Sequence, residues 1–141
     1  MKLLPARTMT ALAALVDIAT HTTTTRPVSA KEMAARIKIG ARYLEPTLQV
    51  FVHEGILQAF RGPRGGYALA RGTTPGDISL KTVIDVVDSL SVVGDPAALL
   101  TGEAQRIAKT INSAAAPFVS KLRLLSLADL MTGEQATSKA A

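Results

Sequence analysis

The segment Arg61-Gly62-Pro63-Arg64-Gly65-Gly66-Tyr67 constrains this 141-residue chain more than any other. It lies between Ile56-Leu57-Gln58-Ala59-Phe60 and Tyr67-Ala68-Leu69-Ala70, two short runs whose alternating apolar residues read as strands. Pro63 pre-sets one turn torsion, and Gly65 and Gly66 can take positive φ without steric cost. The expectation is a β-hairpin with Arg61 and Arg64 at its tip and Arg71 closing its far end. A surface hairpin with incidental arginines fits this segment equally well. What precedes it narrows the choice.

A first helix is expected from about Thr8 to Thr20, with Met9, Leu12, Leu15, Val16 and Ala19 recurring at helical spacing as one apolar stripe. The β-branched run Thr22–Thr25 and Pro27 form a linker. Ser29-x-x-Glu32 is a capping box, so a short helix from Ala30 to about Ile37 follows, burying Met33, Ala34 and Ile37. Gly40 supplies the turn. A third helix begins around Ala41–Tyr43 and stops before Gly55, with Leu44, Leu48, Phe51 and Val52 on its buried side. Pro46 would orphan the Arg42 carbonyl in a helix begun at Ala41, so a later start near Tyr43 or a loose first turn is expected. Two short helices joined by a tight turn and followed by a hairpin spell a winged helix-turn-helix.

Beyond a turn-rich linker over 72–76, Ser79 caps a helix carrying Leu80, Val83, Ile84, Val87 and Leu90. A loop around Gly94-Asp95-Pro96 leads to the longest helical pattern, about Glu103 to Arg123, with Ile107, Ile111, Ala114, Phe118, Leu122 and Leu125 at spacings of three and four. Pro117 should kink that helix or break it in two. A short capped segment, Ser126–Met131, precedes a polar tail. The fold class is therefore mainly α with a small β-hairpin. A winged helix-turn-helix region over 1–76 is followed by a loop and further helices over 77–131 and a disordered tail over 132–141.

Charge is unevenly spread. Residues 1–71 hold ten Lys/Arg against four acids, a net +6, whereas 72–141 hold six against seven, a net −1. A basic half joined to a near-neutral one suits a polyanion-binding module attached to something else. The chain has no cysteine, which excludes disulfides, a thiolate-bound zinc and an ordinary cysteine-ligated iron–sulfur cluster. Lys2 and the apolar stretch Met9–Ala19 superficially resemble a secretory leader, but Arg7 and Asp17 interrupt it and no small-residue cleavage pattern precedes His21. No run reaches the roughly 18 apolar residues of a membrane span. The expected location is cytoplasmic, with no membrane partner.

Together these residues resemble the Rrf-two family of bacterial winged-helix transcription regulators. The likeness rests on Met1-Lys2-Leu3, Ala11–Asp17, Pro27-Val28-Ser29 leading into Ala34-Ala35-Arg36, and Ser126–Leu130. Its most specific parts are Arg42-Tyr43-Leu44-Glu45-Pro46 and Arg61–Tyr67. It covers about residues 1–131. The resemblance implies a homodimer on a partly palindromic operator, paired through the long C-terminal helix by Ile107, Ile111, Phe118 and Leu122. It also implies an iron–sulfur cluster held by three cysteines after the fourth helix. Here the corresponding stretch, Ser91–Ala98, has none, and Asp88 and Asp95 are hard ligands that do not hold a sulfide cluster. Thr8-Met9-Thr10 stands where the family often has Gly-Arg-Tyr, which removes one expected phosphate contact.

The candidate contacts to double-stranded DNA are Arg7, Arg42, Tyr43, Glu45, Arg61 and Arg64. Arg42 can reach a phosphate or donate two bonds to guanine O6 and N7. Tyr43 can donate to phosphate or pack under its helix. Glu45 matches a position that the family uses in the major groove, where a carboxylate accepts from cytosine N4; it also suits the helix dipole. Arg61 and Arg64 suit a narrow minor groove. His21 and His53 are isolated and lack metal spacing, and the chain carries no phosphate loop or elbow serine, so an enzyme is not expected. The sequence reads as a transcriptional regulator, most simply a repressor, with no cofactor and no metal. Any signal is an unidentified small-molecule or protein effector, with control by abundance alone as the alternative; Val92–Leu100 could line a pocket but fits packing against the long helix better. The alternative is a ligand-sensing or protein-interaction module that kept the winged fold while its DNA binding weakened.

Overall fold

A computed structural model of the protein describes residues 4–22, 26–89 and 101–132. In chain order the elements are α1 (Ala6–His21), α2 (Ala30–Ile37), α3 (Ala41–His53), β1 (Leu57–Phe60) and β2 (Gly66–Leu69). A 3₁₀ turn (Pro75–Asp77), α4 (Leu80–Ser89), α5 (Gly102–Leu124) and α6 (Leu127–Thr132) follow. This is the mainly helical winged architecture expected from the sequence. The Gly94-Asp95-Pro96 loop, the Val92–Leu100 stretch, Leu90 and the tail beyond Thr132 lie outside the described residues.

α1 is the central helix, packed against α2, α3, β2, α4 and α6. Being enclosed on several sides, it buries a broader face than one stripe: Thr8, Ala11, Leu12, Ala14, Leu15 and Ile18. Small Ala11 and Ala14 let neighbouring elements approach closely. Met9, expected in the stripe, is 54% exposed instead, because the buried face is centred on Leu15 and Ile18. The helix also starts two residues early, since the Pro5 carbonyl accepts from the N–H groups of Thr8 and Met9 at 3.0 and 3.1 Å.

The capping box at α2 forms as read. Ser29 Oγ accepts the Glu32 N–H, and Glu32 Oε2 accepts the Ser29 N–H, both at 3.1 Å. The turn into α3 differs from expectation, because Lys38 takes the left-handed conformation with φ 62°. Gly40 serves a steric purpose: a Cβ there would meet the Tyr43 ring at 3.3 Å. α3 begins at Ala41 and runs unbroken through Pro46. Its first turn is tightened by the Tyr43 N–H donating to Gly40 O at 2.9 Å, a spacing of three residues. Pro46 lies on the exposed side, where water can replace the lost donor. Leu44, Leu48 and Phe51 are fully enclosed in the core.

β1 and β2 pair antiparallel, Leu57 opposite Leu69 and Phe60 opposite Gly66, leaving Arg61–Gly65 as the connection. Of the two glycines expected at positive φ, only Gly66 shows it, at 154°; the other such position is Gly62, at 99°. Gly65 is required for close approach, since a Cβ there would stand 2.3 Å from the Phe60 carbonyl oxygen. At Gly66 a Cβ would stand 2.3 Å from Val28 O, because the hairpin is stitched to the segment before α2. Val28 N–H donates to Tyr67 O at 2.9 Å, and Tyr67 N–H donates to Val28 O at 2.7 Å.

In the second half, Ser79 Oγ caps α4 by accepting the Thr82 N–H at 3.1 Å. Reciprocal bonds join its entry to the end of α5: Leu80 N–H donates to Leu125 O and Leu127 N–H to Ile78 O, both at 2.9 Å. α5 is one continuous 23-residue helix, so Pro117 does not break it. The proline faces outward, and the bond it removes from the Ser113 carbonyl falls where water can substitute. Of the expected stripe, Leu122 is buried within its own chain, whereas Ile107, Ile111 and Phe118 are 56, 61 and 39% exposed.

Candidate nucleic-acid interface

Two elements present the basic residues: the start of α3 and the tip of the hairpin. Arg42 and Tyr43 occupy the first turn of α3, both exposed. The Arg42 guanidinium lies 5.1 Å from the centroid of the Tyr43 ring, a cation–π contact that limits its freedom. The Tyr43 ring lies beside Gly40 and is 65% exposed, so of the two placements open to it, packing under the helix is not the one observed. Glu45 is exposed one turn further on. Arg61 and Arg64 stand exposed at the hairpin tip. Among the described residues, Arg42, Arg61 and Arg64 enter no ion pair, whereas Arg26 and Arg36 both do. Unpaired guanidinium groups are what a phosphate backbone can take up without first breaking a salt bridge.

Between α3 and the hairpin runs a groove of ≈ 860 Å³, to which Glu45 and Gln49 contribute from the helix and Phe60 and Arg61 from the hairpin. A second cleft, ≈ 510 Å³, separates Arg64 from Arg26 and the start of α2. Arg26 is oriented by an ion pair with Glu32. The Glu32 carboxyl is held below the usual glutamate range, chiefly by accepting the Ser29 backbone N–H. Neither lining includes Arg7, which instead stands 3.8 Å from Asp88 at the end of α4. The six sequence candidates therefore do not form one cluster. Glu45 and Arg61 share the groove, Arg42 and Tyr43 stand exposed at the helix start outside its lining, Arg64 lines the second cleft, and Arg7 is paired elsewhere.

Two features of the site were not singled out from the sequence. Gln49 Nε2 donates to Tyr67 Oη at 3.0 Å, linking α3 to the buried tyrosine of β2. Its signal was available, since Arg42, Glu45 and Gln49 are spaced by three and four residues and share one helix face. The second is the bidentate pair of Arg36 with Asp17, whose Nε and Nη2 donate to the two carboxylate oxygens at 2.8 Å each. That hydrogen bonding raises the Arg36 guanidinium further above its ordinary value. Asp17 is 7% exposed, so the pair fastens α2, and with it the helix-turn-helix, to the central helix. His21 Nδ1 lies 3.0 Å from Asp17 O, which makes it a local contact at the end of α1.

A helix-turn-helix whose second helix lies beside a pinned, arginine-tipped hairpin defines the winged-helix class. Within that class, residues 4–133 match the family described as Rrf2, iron-dependent transcriptional regulator, and the chain belongs to that family. It is 36% identical over 78 residues to the HTH-type transcriptional regulator IscR of Vibrio atlanticus, a stretch covering 55% of this chain and 43% of that protein. It is 40% identical over 62 residues to a putative HTH-type transcriptional regulator of Synechocystis, covering 44% and 41%. The match thus spans less than half the length of these curated relatives. Among solved structures, IscR of T. potens superposes with a TM-score of 0.71 at 25% identity, covering 97% of this chain and 90% of that one. CymR, the global cysteine regulator of B. subtilis, has the same fold, with a TM-score of 0.71 at 22% identity over 96% and 100% of the two chains.

The residues present do not fit the iron centre that the family description implies. The sequence supplies no thiolate. Among the described residues no group of three or more His, Cys, Asp or Glu is placed to hold a metal ion. Asp88, one of the two carboxylates considered, has Arg7 as its neighbour. Among the described residues no helix is long and apolar enough to cross a membrane.

Proposed function

We propose that the chain is a non-enzymatic, sequence-specific DNA-binding repressor that acts as a homodimer on a partly palindromic operator, without an iron–sulfur cluster. The observation that carries this reading is the set of unpaired arginines, Arg42 on α3 and Arg61 and Arg64 on the hairpin, presented by two elements fixed to each other. α3 enters the major groove with Arg42, Tyr43 and Glu45 near its leading end, and the hairpin reaches the adjacent minor groove. α5 supports the dimer. It leaves Ile107, Ile111 and Phe118 exposed along one face of a helix about 34 Å long, at 1.5 Å per residue. Two such faces brought together would bury the stripe and set the spacing of two recognition helices. With no cluster to read, a signal would bias that spacing through a small molecule or a partner protein, or control would rest on abundance alone.

The test is selection from random duplex DNA with the full-length protein, followed by a salt titration on the selected fragment. Affinity should fall steeply with salt, with a log–log slope of about −0.9 per phosphate neutralised. Failure to bind any duplex at low salt would overturn the reading and favour a winged module that acts on another ligand. Anaerobic incubation with iron and sulfide should produce no cluster absorption and no change in DNA affinity.

A further inference from the structure

We infer that Gln49 is a base-reading residue of α3, selective for adenine, and that Tyr67 is the positioning residue that fixes its amide. The inference rests on the DNA-binding reading above and deepens it. Arg42, Glu45 and Gln49 lie within a 60° arc of the helix at about 100° per residue, so a groove that admits the first two faces the third. All three are exposed.

An exposed glutamine on a helix normally samples many rotamers and loses that freedom on binding. Here its Nε2 donates to Tyr67 Oη at 3.0 Å. Tyr67 cannot drift, because it is 8% exposed and its backbone exchanges two hydrogen bonds with Val28. The bond to Tyr67 uses one amide N–H, and among the described residues the second N–H and the carbonyl oxygen have no hydrogen-bond partner. When the bonded N–H is the one anti to the carbonyl, the two free groups share one edge of the amide. A free donor beside a free acceptor in one plane matches the major-groove edge of adenine, where N7 accepts and the N6 amino group donates. Guanine offers two acceptors there and cytosine one donor, so neither satisfies both groups. Glu45 lies one turn before Gln49 and can take only a donor, so the helix face reads a donor-bearing base at each of two positions.

The hydrogen bond to the hairpin gives the assignment a signature. If Tyr67 orients the amide, removing only its hydroxyl should loosen discrimination at the position Gln49 reads and nowhere else. The experiment is in vitro selection from random duplex DNA by the full-length wild type, Gln49→Ala and Tyr67→Phe, followed by affinity measurements on the selected duplex and its single-base variants. The wild type should prefer adenine at one position of each half-site, by roughly five- to a hundredfold over the other bases. Gln49→Ala should still bind but abolish that preference, and Tyr67→Phe should weaken it at the same position while thermal unfolding stays cooperative. An unchanged motif for Gln49→Ala overturns the inference while leaving DNA binding intact. A uniform loss across all sequences also overturns it, because that is the behaviour of a purely structural contact. If the wild type selects no sequence, the DNA-binding reading falls and this inference falls with it.

Discussion

Arg61 and Arg36 show how one side-chain chemistry serves two purposes. Arg61 is exposed and makes no ion pair among the described residues, so replacing it should leave stability nearly unchanged and act on binding. Arg61→Ala is expected to cost about 1–3 kcal/mol of operator affinity, with relaxed preference at one position if it touches a base edge. Competition binding against single-base operator variants measures both. Arg36 is committed to Asp17, whose carboxylate is 7% exposed. Arg36→Ala would strand that carboxylate. Fully buried pairs lose roughly 3–5 kcal/mol when one partner is removed, and because Arg36 is itself 36% exposed a smaller loss of about 1–3 kcal/mol is expected here. Urea unfolding should show it as a lower midpoint with an unchanged slope, and an unaltered midpoint would mean that the pair does not hold α2 to α1.

At the scale of elements, the hairpin is rigid because it is tied at more than one place. Its strands pair with each other, Tyr67 pairs through its backbone with Val28, and its hydroxyl accepts from Gln49. The glycines in the turn are consequently unequal. Gly62 needs a positive φ but a Cβ there would meet open space, whereas at Gly66 it would collide with the Val28 backbone as well. Gly62→Ala should cost about 1–2 kcal/mol through torsional strain alone. Gly66→Ala should cost more, about 2–3 kcal/mol, and loosen the hairpin from α2. Thermal unfolding of the two variants ranks them, and amide exchange at Val28 and Tyr67 reports the loosening. Equal losses would mean that the stitch to Val28 contributes nothing.

For the whole molecule, the distribution of burial is the informative quantity. α1 has neighbours on several sides, whereas among the described residues α5 packs chiefly against α4, and its N-terminal two-thirds is largely exposed. Leu122 anchors it inside the chain, leaving Ile107, Ile111 and Phe118 for a second copy in the proposed dimer. Ile111→Asp should yield a folded monomer, because the residue is 61% exposed within its own chain. Loss of linked half-site binding should then weaken operator affinity by about a hundredfold or more. Light scattering and gel-shift titration read the two outcomes. A monomeric wild type at tens of micromolar (roughly the concentration of such a titration) would rule out the dimer.

Local rules were enough to place most of this fold from sequence. The Ser29–Glu32 box began α2, helical spacing picked out Leu44, Leu48 and Phe51, and turn chemistry put Arg61 and Arg64 at a hairpin tip. These features depend on residues a few positions apart, so the chain states them directly. Pro46 permits a helix that starts at Ala41, and Pro117 does not break α5, because both face solvent, where water can replace the lost hydrogen bond. Which side a residue faces is a property of the packed molecule. The same holds for Met9, left outside by the way five elements surround α1, and for Leu122, drawn inward by its own chain. It holds for Asp17 with Arg36, 19 residues apart, and for Gln49 with Tyr67, 18 apart. Sequence determined the elements and the cations they carry. Tertiary structure decided which of those cations remained unpaired and which side chains were locked, because pairing and burial depend on distances that exist only once the helices have packed.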